Sequence, residues 1–135
     1  MTRKLFGLAL LVAIGVIVIK FWNAPITGAP ATLLTDITVP QFSPAAQAGQ
    51  SSFNTNCAIC HGENAAGTDQ GPSFLQKIYQ PTHHGDFAFN LAVKNGVRAH
   101  HWRFGSMSPV TGIADEEIMN IVVYVRELQQ ANGIE

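Results

Sequence analysis

The pattern of apolar and polar residues divides the chain into an apolar start, an irregular middle and a region of helical periodicity. Residues 5–19 are uninterrupted apolar sequence, preceded by two basic residues and followed by Lys20, Phe21 and Trp22. At ~1.5 Å per residue, the run through Trp22 forms a helix of roughly 27 Å, close to the thickness of a hydrocarbon core. Residues 1–22 are therefore predicted to be a transmembrane anchor, with the two aromatic residues at the membrane interface.

A cleaved secretory signal is the alternative for the same residues, because it also combines a basic start with an apolar run. The nearest Ala-x-Ala motif, at residues 29–31, lies well beyond the apolar run. We therefore prefer the uncleaved anchor. In either case the positive-inside rule keeps Arg3 and Lys4 in the cytoplasm and exports everything after Trp22.

Residues 23–42 are rich in Pro, Thr and Ala. They predict a linker, since Pro25, Pro30 and Pro40 discourage regular structure. A flexible coil of this length averages only about 25 Å from end to end, which limits the reach of the domain that follows. Several apolar residues within 33–39 suggest that the linker is partly ordered and packs on its own domain, although a neighbouring subunit is an alternative.

Helical periodicity begins at Ser43-Pro44, a pair that favours a helix start because the hydroxyl caps and the ring fits the first turn. Ala46, Gly49 and Phe53 then share one face of this first helix. Gly49 weakens a helix, and the close approach of a second helix would explain its presence.

Two further helices are expected. One covers about 85–95, carries Phe87, Leu91 and Val93, and stops at Gly96. The last begins near residue 114 with three acidic residues, which suit the positive end of the helix dipole, and ends around 132–133. Its apolar face comprises Ile118, Ile121, Val122, Val125 and Leu128, with Tyr124 beside it. Residues 43–135 are thus predicted to form a small all-α domain of three to five helices.

Composition and charge exclude one class of partner. The 135 residues carry a net charge of −1, and from residue 43 onward five Lys and Arg stand against eight Asp and Glu. The chain has no basic stripe, so nucleic-acid binding is disfavoured.

The strongest chemical signal is Cys57-Ala58-Ile59-Cys60-His61. In a Cys-x-x-Cys-His run both thiols can form thioether bonds to one haem, while the adjacent imidazole binds its iron. A zinc site would need more ligands than the two cysteines of this chain supply. A thioredoxin-like pair would need alternating strands and helices. The motif therefore predicts one covalent haem c, attached outside the cytoplasm.

A haem iron bound by His61 needs a second ligand, and Met107 is the best candidate. It lies in an irregular stretch between two predicted helices, where a loop can present a thioether and Pro109 restricts the backbone. Pro72, or a neighbouring residue, is expected to accept a hydrogen bond from the far nitrogen of His61.

The surroundings of the haem include further polar candidates. Trp102 and Arg103 are expected to lie at the haem rim, where either can contact a propionate. The paired histidines His83-His84 and His100-His101 are interpreted as hydrogen-bonding or surface residues. A bis-histidine iron or an added copper or zinc site remains open.

From about residue 45 to 130 the chain resembles the class I monohaem cytochromes c, and in particular their membrane-anchored bacterial members. The matching pieces, in order, are Gly49 and Phe53, the Cys57-to-His61 motif, Gly71-Pro72, Asn95-Gly96, Met107 with Pro109, and Tyr124-Val125. The resemblance implies a small cytochrome c fold with His61 and Met107 as axial ligands and Pro72 as the carbonyl partner of the histidine.

The same resemblance implies a one-electron carrier, not an enzyme, in a bacterial respiratory or photosynthetic chain. The expected donor is a quinol-oxidising complex or a dehydrogenase, and the expected acceptor is a terminal oxidase or a reaction centre. The expected location is the inner membrane, with a single span and the haem domain on the periplasmic side. Three alternatives stay open: a fixed haem subunit of a larger oxidoreductase, a five-coordinate haem sensor or peroxidase, and a histidine-rich metal-binding protein.

Overall fold

The structure, a computed structural model, describes residues 36–135. Within this range four α-helices follow one another: α1 Pro44–Asn56, α2 Ala58–His61, α3 Asp86–Asn95 and α4 Asp115–Ala131. Two short 3-10 turns, Glu63–Ala65 and Lys77–Tyr79, lie between α2 and α3. The described residues contain no β-strand, and only an isolated bridge pairs Val97 with Met107. The prediction of a helical domain is therefore confirmed for this part of the chain.

The membrane prediction falls largely outside the described part. No helix within residues 36–135 is both long and apolar enough to cross a bilayer. The predicted anchor, residues 1–22, and the linker up to residue 35 lie outside the described residues, and both stay predictions.

The start of α1 is fixed by its cap and by α4. The Ser43 hydroxyl accepts a hydrogen bond from the Ala46 backbone N–H at 3.2 Å, and Pro44 occupies the first turn. The Glu127 carboxylate of α4 in turn accepts from the backbone N–H and the hydroxyl of Ser43, at 3.0 and 2.6 Å. The capping predicted from the sequence thus also ties the first helix to the last.

The packing of α1 against α4 builds the core. Gly49 is buried, and a Cβ at this position would overlap the backbone carbonyl of Asn120 on α4. The close helix approach expected from this glycine is therefore present. Next to it, the rings of Phe53 and Tyr124 lie 5.3 Å apart between centroids. The buried cluster contains Phe42, Ala46, Phe53, Ala65, Leu75, Ile121, Tyr124, Val125, Leu128 and Ile134.

The described end of the linker packs on this same core. Phe42 is buried and meets the Tyr124 ring edge-on at 5.1 Å. Thr38 exchanges two hydrogen bonds with the Asn132 side chain, at 3.0 and 2.8 Å. Residues 37–42 are therefore bound to the domain that they precede.

The burial of α3 differs among the three apolar residues predicted for this helix. Val93 is buried, whereas the side chain of Phe87 is 72% exposed and that of Leu91 is 40% exposed. Phe89 points inward, with its ring 5.3 Å from that of Phe74. The sequence leaves the rotation of this helix undetermined, because its ten residues carry apolar side chains on several sides.

Two polar residues of α4 hold the turn between residues 77 and 86. The Arg126 guanidinium donates to the backbone carbonyls of Tyr79 and His84, at 2.9 and 2.5 Å, and to the Asp86 carboxylate at 2.8 Å. The buried Gln129 amide donates to the Tyr79 carbonyl as well, at 3.1 Å. A rigid guanidinium fork with several acceptors fixes this turn to the helix.

Candidate functional site

A cavity of about 500 Å³ opens between α1, α3, α4 and the loop after α3. This volume lies within the ~300–1,000 Å³ typical of cofactor pockets. Its wall is mostly apolar and aromatic and is shared by all of these elements. The apolar wall includes Phe53, Phe74, Phe89, Val93, Ile121 and Val122.

The Cys-x-x-Cys-His motif stands at one side of this cavity. Helix α1 ends at Asn56, and α2 carries the chain through Cys60 to His61. Cys57 is half-buried and lines the cavity, whereas Cys60 is exposed. Burial, together with the neighbouring Cys60, raises the pKa of Cys57 to about 11. The free thiol is therefore protonated at neutral pH, and the attachment turn lies between the cavity and the surface.

His61 is buried, and its ring is oriented by two contacts. Nδ1 lies 2.9 Å from the Pro72 carbonyl oxygen, and the ring stacks on Phe74 with centroids 4.2 Å apart. A proton on Nδ1 donates to that carbonyl and leaves Nε2 with a free lone pair. Burial lowers the pKa of His61, although the hydrogen bond to Pro72 opposes the shift. The imidazole is thus neutral and prepared to act as a metal ligand.

Met107 lines the same cavity from the loop after α3. Its backbone exchanges two hydrogen bonds of 2.9 Å with Val97, which fixes the loop at this residue. Gly96 makes the pairing possible: it has a φ of +73°, and a Cβ there would overlap the carbonyl of Met107. A glycine adopts this conformation without strain. The structure therefore brings Met107 and His61 into one cavity.

The residues of the cavity fit a haem group. The group is flat and mostly apolar, and the cavity offers an apolar wall, one thiol from Cys57 and an imidazole whose Nε2 is free. A thioether from Met107 completes a donor set of the His and Met type known for haem iron. The fold and the site together define a small helical protein that carries covalently bound haem.

The comparison with family models agrees with this class. Residues 46–129 match the model described as Cytochrome c, and the chain belongs to the cytochrome c family. Its cofactor is haem c, attached through Cys57 and Cys60, as predicted. Members of this family transfer electrons by means of their haem.

Among solved structures the chain is similar to cytochrome CL from the marine methylotrophic bacterium Methylophaga aminisulfidivorans MPT, with 30% sequence identity and a TM-score of 0.50. The similarity covers 62% of this chain and 52% of that one, so this chain matches about half the length of that cytochrome. No curated protein sequence matches the chain.

Trp102 and Arg103, the other predicted haem contacts, have different surroundings. Trp102 lines the cavity, and its indole N–H donates to the Tyr79 hydroxyl at 2.9 Å. Arg103 is exposed and lies outside the cavity wall. The cavity geometry therefore supports a haem contact for Trp102 and does not support one for Arg103.

The aromatic wall formed by Phe74, Tyr79 and Phe89 was not predicted from the sequence. Their rings meet edge to face at 5.1 to 6.3 Å between centroids. The available signal was the presence of four Phe and Tyr residues within positions 74–89, three of which form this wall. They carried no regular period, because two of them lie outside the regular α-helices.

The histidine pairs come together at the rim of the cavity. His84, His100 and His101 line it, and His83 packs beside His84 with ring centroids 4.8 Å apart. Partial desolvation and then the neighbouring imidazoles lower the pKa of His101. The two pairs stand on opposite sides of α3 in the sequence, and their meeting is a result of the fold.

Proposed function

We propose that this chain is a membrane-tethered one-electron carrier of a bacterial electron transport chain, with a single His61/Met107-ligated haem c as in class I cytochromes. The observation that carries the proposal is that one apolar cavity is lined by Cys57, by His61 with Nε2 free, and by Met107 on a fixed loop. Two protein ligands would saturate the iron, which suits electron transfer better than the binding of small molecules.

The side chains around the site suit a carrier. Bound haem supplies one-electron chemistry between Fe(II) and Fe(III). The Pro72 carbonyl holds the ring of His61 in one orientation, and the apolar wall keeps water out. A soft thioether from Met107 would favour the reduced iron of a bound haem and raise its reduction potential. Cys60 and Ile59, the latter 82% exposed, leave the attachment turn accessible to a partner.

The tether and the partners belong to the proposal as well. Residues 1–22 have the length and the flanking residues of a single-pass inner-membrane anchor that leaves the haem domain in the periplasm. Donors of the quinol-oxidising or dehydrogenase type and acceptors of the oxidase or reaction-centre type suit a carrier held there. Membrane fractionation of the full chain tests the anchor: haem staining is expected in the salt-washed membrane fraction, and a soluble haem protein would contradict the tether.

The axial ligand is tested by Met107→Leu, with Met119→Leu as the matched control. Met119 is 65% exposed on α4 and outside the cavity wall. The ferric wild type and Met119→Leu are expected to show a weak far-red sulfur-to-iron charge-transfer band, and Met107→Leu is expected to lose it and to have a lower potential. A band that survives in Met107→Leu would overturn the assignment. Carbon monoxide binding by the resting ferrous wild type would favour a five-coordinate haem sensor.

A further inference from the structure

Three histidines from two separate loops converge at the cavity rim. His83 and His84 precede α3, and His101 follows it. Each offers one ring nitrogen, and these three nitrogens lie within 4.8 Å of one another. The ring of His101 lies 5.8 Å from that of His83 and 5.4 Å from that of His84, between centroids. His101 thus forms one imidazole cluster with two histidines that lie 17 and 18 positions earlier in the chain.

The spacing of the three ring nitrogens is close to what a metal ion requires. Zinc binds imidazole at 2.0–2.1 Å, so tetrahedral ligand nitrogens stand about 3.3 Å apart. The cluster therefore needs to contract by only about 1.5 Å. His83 and His101 are exposed, so their rings can rotate into place without disturbing the core.

His84 is already oriented as metal-binding histidines are. Its Nδ1 lies 2.6 Å from the backbone carbonyl of Ile78, so a proton on Nδ1 leaves Nε2 free. A hydrogen bond of this kind from the second ring nitrogen to a carbonyl is the usual support of a metal-bound imidazole. His84 is half-buried, which fixes the ring further.

The two loops are held in place by contacts outside the cluster. Arg126 on α4 donates to the backbone carbonyls of Tyr79 and His84, which fixes the first loop. The indole N–H of Trp102, next to His101, donates to the Tyr79 hydroxyl and joins the second loop to the first. The positions of the three imidazoles therefore follow from the fold, as a binding site requires.

We infer that His83, His84 and His101 form a binding site for a divalent transition-metal ion of the Zn²⁺ or Cu²⁺ type, separate from the haem iron. Three neutral imidazoles suit both ions, and the fourth position is left to water. The bound ion joins the loop that leads to Met107 to the loop that precedes α3. His100 stands outside the three, since it is not among the histidines whose ring nitrogens lie within 4.8 Å of one another.

The test uses the full-length, haem-loaded protein in mild detergent, freed of metals with a chelator. Isothermal titration with ZnCl₂ is expected to show one ion per chain. His83→Gln and His101→Gln are each expected to weaken Zn²⁺ binding on the order of 100-fold, because each removes one of three ligands. His100→Gln is the matched control in the same loop and is expected to bind Zn²⁺ with nearly the affinity of the wild type, because it removes none of the three ligands. Parallel titration with CuSO₄ distinguishes the ions, and tighter copper binding is expected from the general affinity order.

Two results would overturn the site. The first is that the wild type binds neither Zn²⁺ nor Cu²⁺ stoichiometrically. The second is that His100→Gln weakens metal binding as much as His101→Gln does. His83 lies outside the haem cavity, so His83→Gln is expected to keep the haem spectrum of the wild type. A changed spectrum there would mean that the cluster serves the haem and not a second metal. The far-red band of Met107 does not depend on any of these outcomes, so the two proposals fail separately.

Discussion

Within residues 36–135, the buried side-chain polar group that has no hydrogen-bond partner is the hydroxyl of Tyr124. Its side chain is fully buried between Phe42 and Phe53. Gln50 is the polar side chain beside its hydroxyl, but it completes no hydrogen bond. Burial raises the pKa of Tyr124 to about 12, because the phenolate would lose its hydration.

Tyr124→Phe is expected to leave the free energy of unfolding at pH 8 unchanged or slightly higher, since an unpaired buried hydroxyl contributes no net hydrogen bond. The unfolded tyrosine ionises near pH 10 and the folded one near 12. The contribution of neutral Tyr124 to the free energy of unfolding is therefore complete below pH 10 and is lost as the pH rises to 12. The variant should gain about 2–3 kcal/mol over the wild type by pH 12. Denaturant unfolding followed by circular dichroism at both pH values measures this. A loss above about 1 kcal/mol at pH 8 would instead indicate a hydrogen bond to Gln50.

Single residues also show what the sequence could predict of the site. Cys57, Cys60 and His61 lie within five consecutive positions, so haem attachment could be predicted from the local sequence alone. Met107 could be nominated because its loop is irregular, but its pairing with Val97 could not, since a single bridge has no periodic signal. The meeting of His83 with His101 depends on how two loops close across the cavity, which no local pattern encodes.

At the scale of elements, the crossing of α1 and α4 is the contact on which the domain depends. Gly49→Ala puts a Cβ into the carbonyl of Asn120, so the helices must separate. Alanine gains up to ~1 kcal/mol of helix propensity, whereas overpacking against backbone costs ~1–3 kcal/mol or more. We expect a net loss of about 1–2 kcal/mol in the free energy of unfolding by urea of the haem-loaded protein.

The matched control for this crossing is Ala48→Leu. Ala48 is exposed on the same helix, so a larger side chain there should change the free energy of unfolding by less than about 0.5 kcal/mol. If Gly49→Ala changed the free energy of unfolding as little as the control does, or raised it, the fold would not require the close approach of the two helices.

The main helices were predictable to within a residue or two because caps and periodicity are local. Ser43-Pro44 marks the start of α1, and Gly96 marks the end of α3. The short α2 and the two 3-10 turns were not foreseen, since each depends on contacts with the rest of the domain. Arg126 is the clearest case: its acceptors lie 40 or more positions earlier in the chain, apart from Gln129.

At the scale of the whole molecule, the apolar core of the described domain continues into the cavity wall. Phe53 and Ile121 belong both to the buried cluster and to the cavity wall. A haem bound in the cavity would bury apolar surface against these side chains, and such burial favours the folded state. We therefore expect the haem to stabilise the fold as well as to carry the electron.

The double variant Cys57→Ala/Cys60→Ala tests this dependence, because it removes both attachment points. Purified without added haem, it is expected to lose cooperative thermal unfolding and much of its helical circular dichroism, since the cavity wall collapses when nothing fills it. Cys60→Ala is the matched control: it keeps the half-buried Cys57, and we expect one thioether bond and an intermediate midpoint. If the haem-free double variant unfolded cooperatively near the wild-type midpoint, the helices alone would be sufficient for the fold, and the role of haem would be confined to redox chemistry.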